Sequence, residues 1–155
     1  MSSQLNVAAN VTVYDSAGNF LCEGRNTVTN VGTQVIARFL VGETSVATDG
    51  FNYVELGTGV ITPDTDATEL ETPIARSKIL KRSLRRVENT ISIDAFFFSE
   101  NTNVHLREAG LYVGDDVDTA IGSGMLFARV SLNLDNSGAS PKDIVLNWRI
   151  QISPA

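Results

Sequence analysis

Apolar and polar residues alternate along much of the chain, which is the pattern of β-strands with one buried face. The alternation is clearest at residues 144–152, where Trp148 belongs to the apolar set and Arg149 to the polar set. Residues 90–97 repeat the pattern, but Phe96 and Phe98 make the second face of that strand apolar as well. We therefore predict that this strand is central in its sheet or is covered by a partner.

Shorter stretches of the same kind predict further strands. They are residues 10–14, 20–23, 51–56, 74–85, 104–107, 110–113 and 125–134. One segment has helical spacing instead, and it predicts a single short α-helix over residues 33–41, followed by Gly42. Many short strands with turn residues between them predict an all-β fold, an antiparallel β-sandwich that resembles a jelly roll.

The size and composition of the chain fit one folded domain. It has 155 residues, of which 43% are hydrophobic and 19% are charged. We expect residues 10–155 to form a single β-sandwich domain and residues 1–9 to form an N-terminal arm. The net charge of −6 makes nucleic acid an unfavourable partner, because a phosphate backbone repels an acidic surface.

Several kinds of site are disfavoured by the residue types present. The single cysteine, Cys22, rules out an intrachain disulfide and a Cys-rich metal site, and the single histidine, His105, disfavours a cupin-type metal centre. A Ser-His-Asp triad lacks its usual serine motif. The first ten residues lack the basic start and apolar run of a signal peptide, and no stretch is long enough to span a bilayer. We expect no catalytic set, no metal, no cofactor and no membrane insertion.

Two loops have partial likenesses to binding motifs. Gly57 and Gly59 lack the third glycine of a dinucleotide fingerprint, and we predict that they supply positive φ angles for a turn. Asp64, Asp66 and the residues after them resemble the opening of a calcium loop but lack its glycine and its distal glutamate. We predict turns here, and a solvated hairpin loop at residues 114–124.

A basic stretch stands out in this acidic chain. Half of the 12 basic residues lie within 11 positions, and they are Arg76, Lys78, Lys81, Arg82, Arg85 and Arg86. Three interpretations stay open: a charged edge strand that resists aggregation, a docking face for an acidic protein, and a nucleic-acid contact. The last is the weakest, because aromatic residues that could stack on bases are absent from the stretch.

The order of motifs resembles a family of tailed-bacteriophage virion proteins, which are small all-β modules of head decoration and of tail-fibre or collar parts. The likeness covers residues 26–153. It comprises a Gly-x-x-x-Ile-Ala helix, the Gly-Thr-Gly turn with Thr-Glu-Leu-Glu-Thr after it, Glu-Ala-Gly-Leu, Leu-Phe-Ala-Arg and a closing strand with Trp148. The resemblance implies a structural role in the virion, without catalysis and with assembly in the host cytoplasm.

We therefore expect a non-enzymatic decoration (cement) protein that binds the major capsid protein on the outside of the head and stabilises it. It would act as a homo-oligomer, with a trimer favoured, in which Phe96 and Phe98 are buried between subunits. The basic stretch would contact the capsid. The alternative is a tail-fibre, collar or baseplate adaptor with a glycan-binding role. An enzyme with a carboxylate pair is a third hypothesis, although nothing in the sequence singles out such a pair.

Overall fold

The computed structural model describes residues 4–43, 50–60, 64–114 and 117–155. These residues form nine strands and one α-helix. In chain order they are β1 (Leu5–Asp15), β2 (Phe20–Val28), α1 (Asn30–Leu40), β3 (Phe51–Gly57), β4 (Pro73–Lys78), β5 (Leu84–Val87), β6 (Thr90–Phe97), β7 (His105–Val113), β8 (Met125–Asp135) and β9 (Ile144–Pro154). Every pairing among these strands is antiparallel, which confirms the predicted all-β fold with one short helix.

The strands form one continuous sheet that curls on itself. Their order is β4-β3-β7-β8-β2-β1-β9-β6-β5. β2 joins the two halves of the sheet, because its first part pairs with β1 and its last part, from Asn26, pairs with β8. The curl brings β4 back towards β6, where the Ser77 hydroxyl donates a hydrogen bond of 2.7 Å to the Phe96 carbonyl oxygen. The two layers of the fold are thus two halves of the same sheet.

The core lies between these two halves. Trp148 on β9 and Val11 on β1 are fully buried in it, as are Leu56 on β3 and Leu111 on β7 from the opposite half. Trp148 belongs to the apolar parity of β9, so the alternation correctly predicted the buried face of that strand. β3 and β7 are instead buried on both faces. The opposite parity of β1, β9 and β6 forms an outer face that is mostly polar but has Tyr14, Val145 and Phe96 in one cross-strand row.

The helix begins at Asn30, three residues before the predicted start. Thr29 caps it, because its side-chain oxygen accepts a hydrogen bond of 2.9 Å from the Gly32 backbone N–H. The same hydroxyl donates a bond of 2.6 Å to the Leu126 carbonyl oxygen and ties the helix start to β8. A Cβ on Gly32 would overlap the Phe127 carbonyl oxygen, so only glycine allows this close packing.

Two strand boundaries and the N-terminal arm need correction. Residues 5–9, expected in the arm, belong to β1 and pair with residues 150–154 of β9, whose backbone groups need a hydrogen-bonding neighbour. The predicted strand 74–85 divides into β4 and β5 around a 3-10 turn at Lys81–Ser83. The two stretches predicted around residues 104–113 are one strand, β7. Residues 1–3 of the expected arm and residues 115–116 of the expected hairpin loop lie outside the described residues.

Candidate functional site

The first residue of the basic stretch, Arg76, is buried and paired. Its side chain is only 2% exposed, and its Nε donates a hydrogen bond of 2.8 Å to Oε2 of Glu55, which is fully buried. The guanidinium also lies over the rings of Tyr112 and Tyr53, at 4.5 and 5.1 Å from their centroids. The Arg76 side chain is therefore occupied within the chain, which disfavours its predicted role in a partner-binding surface. Strand parity placed it on a charged face, but the neighbouring strand β3 supplies an acidic partner directly opposite it.

This ion pair holds the hairpin loop between β7 and β8. The Arg76 guanidinium donates hydrogen bonds to the Asp118 carbonyl oxygen at 2.9 Å, to the Ser123 hydroxyl at 2.7 Å and to the Ser123 carbonyl oxygen at 2.8 Å. Glu55 in turn accepts bonds from the Tyr112 hydroxyl at 3.1 Å and the Gly122 N–H at 2.9 Å. Burial and the nearby Glu55 carboxylate raise the pKa of Tyr112, so its hydroxyl stays protonated as a donor.

A second buried carboxylate, Glu108, organises the Gly-Thr-Gly turn. It accepts backbone N–H bonds from Gly59 at 3.1 Å, Glu71 at 2.9 Å and Thr72 at 2.6 Å. A Cβ on Gly57 or on Gly59 would collide with the Glu108 side chain. Neither glycine is among those with positive φ, so the prediction of a positive φ angle at this turn is wrong. Because these two glycines have no side chain, the Glu108 carboxylate has room to accept hydrogen bonds from the backbone N–H groups of the loop.

The remaining basic residues of the stretch are exposed: Lys78, Lys81, Arg82, Arg85 and Arg86. They follow the end of β4, the 3-10 turn and the edge strand β5. Arg85 forms a surface ion pair with Asp94 at 2.9 Å, and Arg86 donates a bond of 2.7 Å to the Glu88 carbonyl oxygen. Charged side chains on an edge strand hinder pairing with another sheet. Docking to an acidic protein stays a prediction for these five residues.

Two aromatic residues at the end of β6 are exposed together. Phe96 is 41% and Phe98 is 57% exposed, and their rings pack edge to face with centroids 4.9 Å apart. Phe97 between them is buried, so the alternation directs both neighbours outward. Ile121 and Lys78 line the same shallow depression. We call Phe96, Phe98 and Ile121 the aromatic patch.

A third surface, which the sequence interpretation missed, lies beside α1. An apolar groove of about 490 Å³ runs between the helix, the first half of β1 and the last residues of β9. We call it the helix groove, and its walls include Ile36, Phe39, Leu40, Val7 and Ile152. Phe39 is 63% and Leu40 is 75% exposed. The run Phe39-Leu40-Val41, which continues the apolar face around the helix end, was the signal that could have indicated it.

Three other residues considered in the sequence analysis, Asp64, His105 and Cys22, make contacts typical of turns and of packing between strands. The Asp64 carboxylate accepts the Asp66 backbone N–H at 2.9 Å, as in a turn. His105 contacts Asn133 on β8 at 2.7 Å, and burial raises the pKa of the Cys22 thiol. Among the described residues, no group of three or more His, Cys, Asp and Glu side chains is arranged to hold a metal ion.

Comparison of the chain with protein-family models, curated proteins and solved structures gives no match. The resemblance to phage virion proteins therefore stays a prediction from the sequence motifs. None of the helical segments in the described ranges combines the length and the hydropathy needed to cross a membrane.

Proposed function

We propose that the protein is a non-enzymatic phage virion protein that decorates the outside of the head and stabilises it. The observation that carries this proposal is the aromatic patch, in which two phenylalanines pack on each other yet remain largely exposed. Paired exposed aromatic side chains are typical of the centre of a protein–protein interface. The motif order of residues 26–153 supplies the connection to virion modules.

The aromatic patch is the surface that we assign to contact between copies of the chain. A cyclic oligomer, with a trimer favoured, would bury the patch and orient all subunits the same way. The five exposed basic residues, Lys78 to Arg86, would then contact acidic groups of the major capsid protein. Because such an oligomer binds only the assembled shell, its binding energy adds to the stability of that shell. Several simultaneous contacts would strengthen individually weak ones.

Two buried carboxylates support a structural role rather than hydrolysis. Glu55 is occupied by Arg76, Tyr112 and a loop N–H, and Glu108 accepts three backbone N–H bonds. A general acid or base needs a free position from which it can reach a substrate. Each of these groups instead holds a connection between strands.

Co-sedimentation with purified heads of the phage that encodes the protein tests the proposal. We expect the wild type to sediment with the heads, and the double variant F96S/F98S to be monomeric by analytical ultracentrifugation and to bind more weakly. The double variant L5S/V87S removes two exposed apolar residues from the opposite end of the sheet, where Leu5 pairs with Pro154 and Val87 with Thr90, and it serves as a matched control. Failure of the wild type to bind heads at any salt concentration would contradict the proposal.

The alternative location is the tail, as a fibre, collar or baseplate adaptor. The observation that favours it is the polar outer face of β1, β9 and β6, which offers amide and guanidinium groups to a glycan. The copy number per particle separates the two locations. A copy number that matches the number of equivalent sites on the capsid lattice supports a location on the head. A copy number that matches the low symmetry of the tail supports the adaptor role.

A further inference from the structure

The outer face of the sheet carries a straight row of polar residues across five strands. Arg25 on β2 is directly opposite Asn10 on β1, and Asn10 is opposite Arg149 on β9. Arg149 is opposite Ser92 on β6, and Ser92 is opposite Arg85 on the edge strand β5. We call these five residues the arginine row. Its members all lie on the parity opposite the buried core, so they share one face.

Equal spacing is the notable property of the arginine row. Successive arginines are two strands apart, which places them about 10 Å from each other at the usual interstrand distance. Arg25 and Arg149 form no ion pair with any residue in the described ranges, and Arg85 has only the exposed pair with Asp94. Two shallow depressions of about 530 and 490 Å³ flank Arg149, one on the side of Arg25 and one on the side of Arg85.

The groups around the arginine row can recognise hydroxyls as well as anions. Gln151 and Thr90 form the next cross-strand pair on one side, and Asn147 and Asp94 form it on the other. Amides and hydroxyls of this kind donate to and accept from sugar hydroxyls, and the Asp94 carboxylate accepts from them. Guanidinium groups bind carboxylates and sulfates through two parallel hydrogen bonds.

Other classes of ligand fit this face less well. The centre of a protein interface needs aromatic or large aliphatic residues, and the arginine row contains none. Single-stranded nucleic acid needs aromatic side chains for stacking, and the arginine row has none. Evenly spaced cations match a polymer with evenly spaced anions, which is a property of a polysaccharide with an acidic repeat.

We propose that the arginine row binds an acidic polysaccharide, with the sugar chain running across the strands and an anionic group at each arginine. The site is separate from the aromatic patch, although it shares Arg85 with the basic stretch and with the wall of the helix groove, and it would give the tail alternative its ligand. Binding at this face does not require that the protein bind capsids. A negative result with purified heads would therefore leave the prediction unchanged.

Isothermal titration with heparin and with polygalacturonate tests the proposal, with neutral dextran as the blank. We expect binding of at least one of the two acidic polymers and none of dextran. Arg149→Gln removes the central cation and should weaken binding by about tenfold, as expected for one lost charged hydrogen bond. Arg86→Gln is the control, because it also removes one positive charge, but from the edge strand β5 at a position that pairs with Ile91 on the core face and not on the face of the arginine row. It should change the affinity by less than about twofold.

Three outcomes would overturn the proposal. The first is no binding of either acidic polysaccharide at low ionic strength, and the second is equal weakening by Arg149→Gln and Arg86→Gln, which indicates unspecific charge attraction. The third is tighter, Arg149-dependent binding of polyglutamate or of an oligonucleotide, which assigns the face to an acidic protein or a nucleic acid. Each variant is checked for native Trp148 fluorescence, since that side chain is fully buried in the folded protein.

Discussion

Replacing Arg76 by methionine tests whether the buried ion pair between Arg76 and Glu55 stabilises the pairing of β3 with β4 and the loop between β7 and β8. The substitution keeps an unbranched apolar side chain of similar length but removes the cation. Glu55 then remains fully buried with only the Tyr112 hydroxyl and the Gly122 N–H as hydrogen-bond donors. The loop also loses the bonds from Arg76 to Asp118 and Ser123.

The expected cost follows from leaving one charge of a buried pair without its partner. Such changes lower the free energy of unfolding by about 3–5 kcal/mol. For a protein of this size the melting temperature should fall by about 10 °C. The control is Arg85→Met, which breaks an ion pair of nearly the same length, 2.9 against 2.8 Å, whose side chains are 61% and 34% exposed. Because water screens that pair, the loss should stay below about 1 kcal/mol.

Urea unfolding followed by tryptophan fluorescence measures both variants. Trp148 is the single tryptophan of the chain and is fully buried, so its emission reports the loss of the core. The double variant E55Q/R76M removes both charges of the pair. We expect it to lose less stability than the sum of the two single variants, by about 2 kcal/mol, since the two side chains are in direct contact.

A loss below about 1 kcal/mol for Arg76→Met, or a loss no larger than that of Arg85→Met, would refute this reasoning. Additive single variants would refute it as well, because additivity means that the two groups do not interact. A small loss for Arg76→Met would indicate that water reaches Glu55 when Arg76 is absent.

Three further predictions concern packing, a buried acceptor and alkaline pH. Gly32→Ala should lower the free energy of unfolding by about 2 kcal/mol or more, because the new Cβ overlaps the Phe127 carbonyl oxygen. Gly138→Ala, where no atom lies within 4 Å of the new Cβ, should change it by less than about 0.5 kcal/mol, and equal urea midpoints would contradict the assignment. Glu108→Gln should cost about 2 kcal/mol in the same assay, since an amide cannot accept all three backbone N–H bonds, and an unchanged midpoint would argue against that role. The pKa of Tyr112 is raised in the folded state, so its contribution to stability is present below about pH 10 and declines as the pH rises further. Tyr112→Phe should make the alkaline decline shallower in urea titrations between neutral and alkaline pH, and an identical slope would contradict this.

Local alternation was sufficient to predict the class of fold and the buried faces of β6 and β9. β6 and β9 were recognised almost to their ends, because a strand with one face in the core shows period two whatever its neighbours are. The helix was recognised from its spacing, although its start depended on Thr29, a residue outside the periodic segment. The outward direction of Phe96 and Phe98 followed from the same alternation.

The tertiary structure decided what each polar residue does. Arg76 has the same parity and charge as its exposed neighbours, and only the pairing of β4 with β3 places Glu55 opposite it. Glu108 lies 49 residues from Gly59, one of its donors, so no local pattern relates the two. The arginine row is likewise invisible along the chain, because Arg25 and Arg149 are brought into one line by the register of three strands. Alternation determines which face of a strand a side chain occupies, whereas strand order and register depend on contacts between distant segments, and these contacts exist only in the folded sheet.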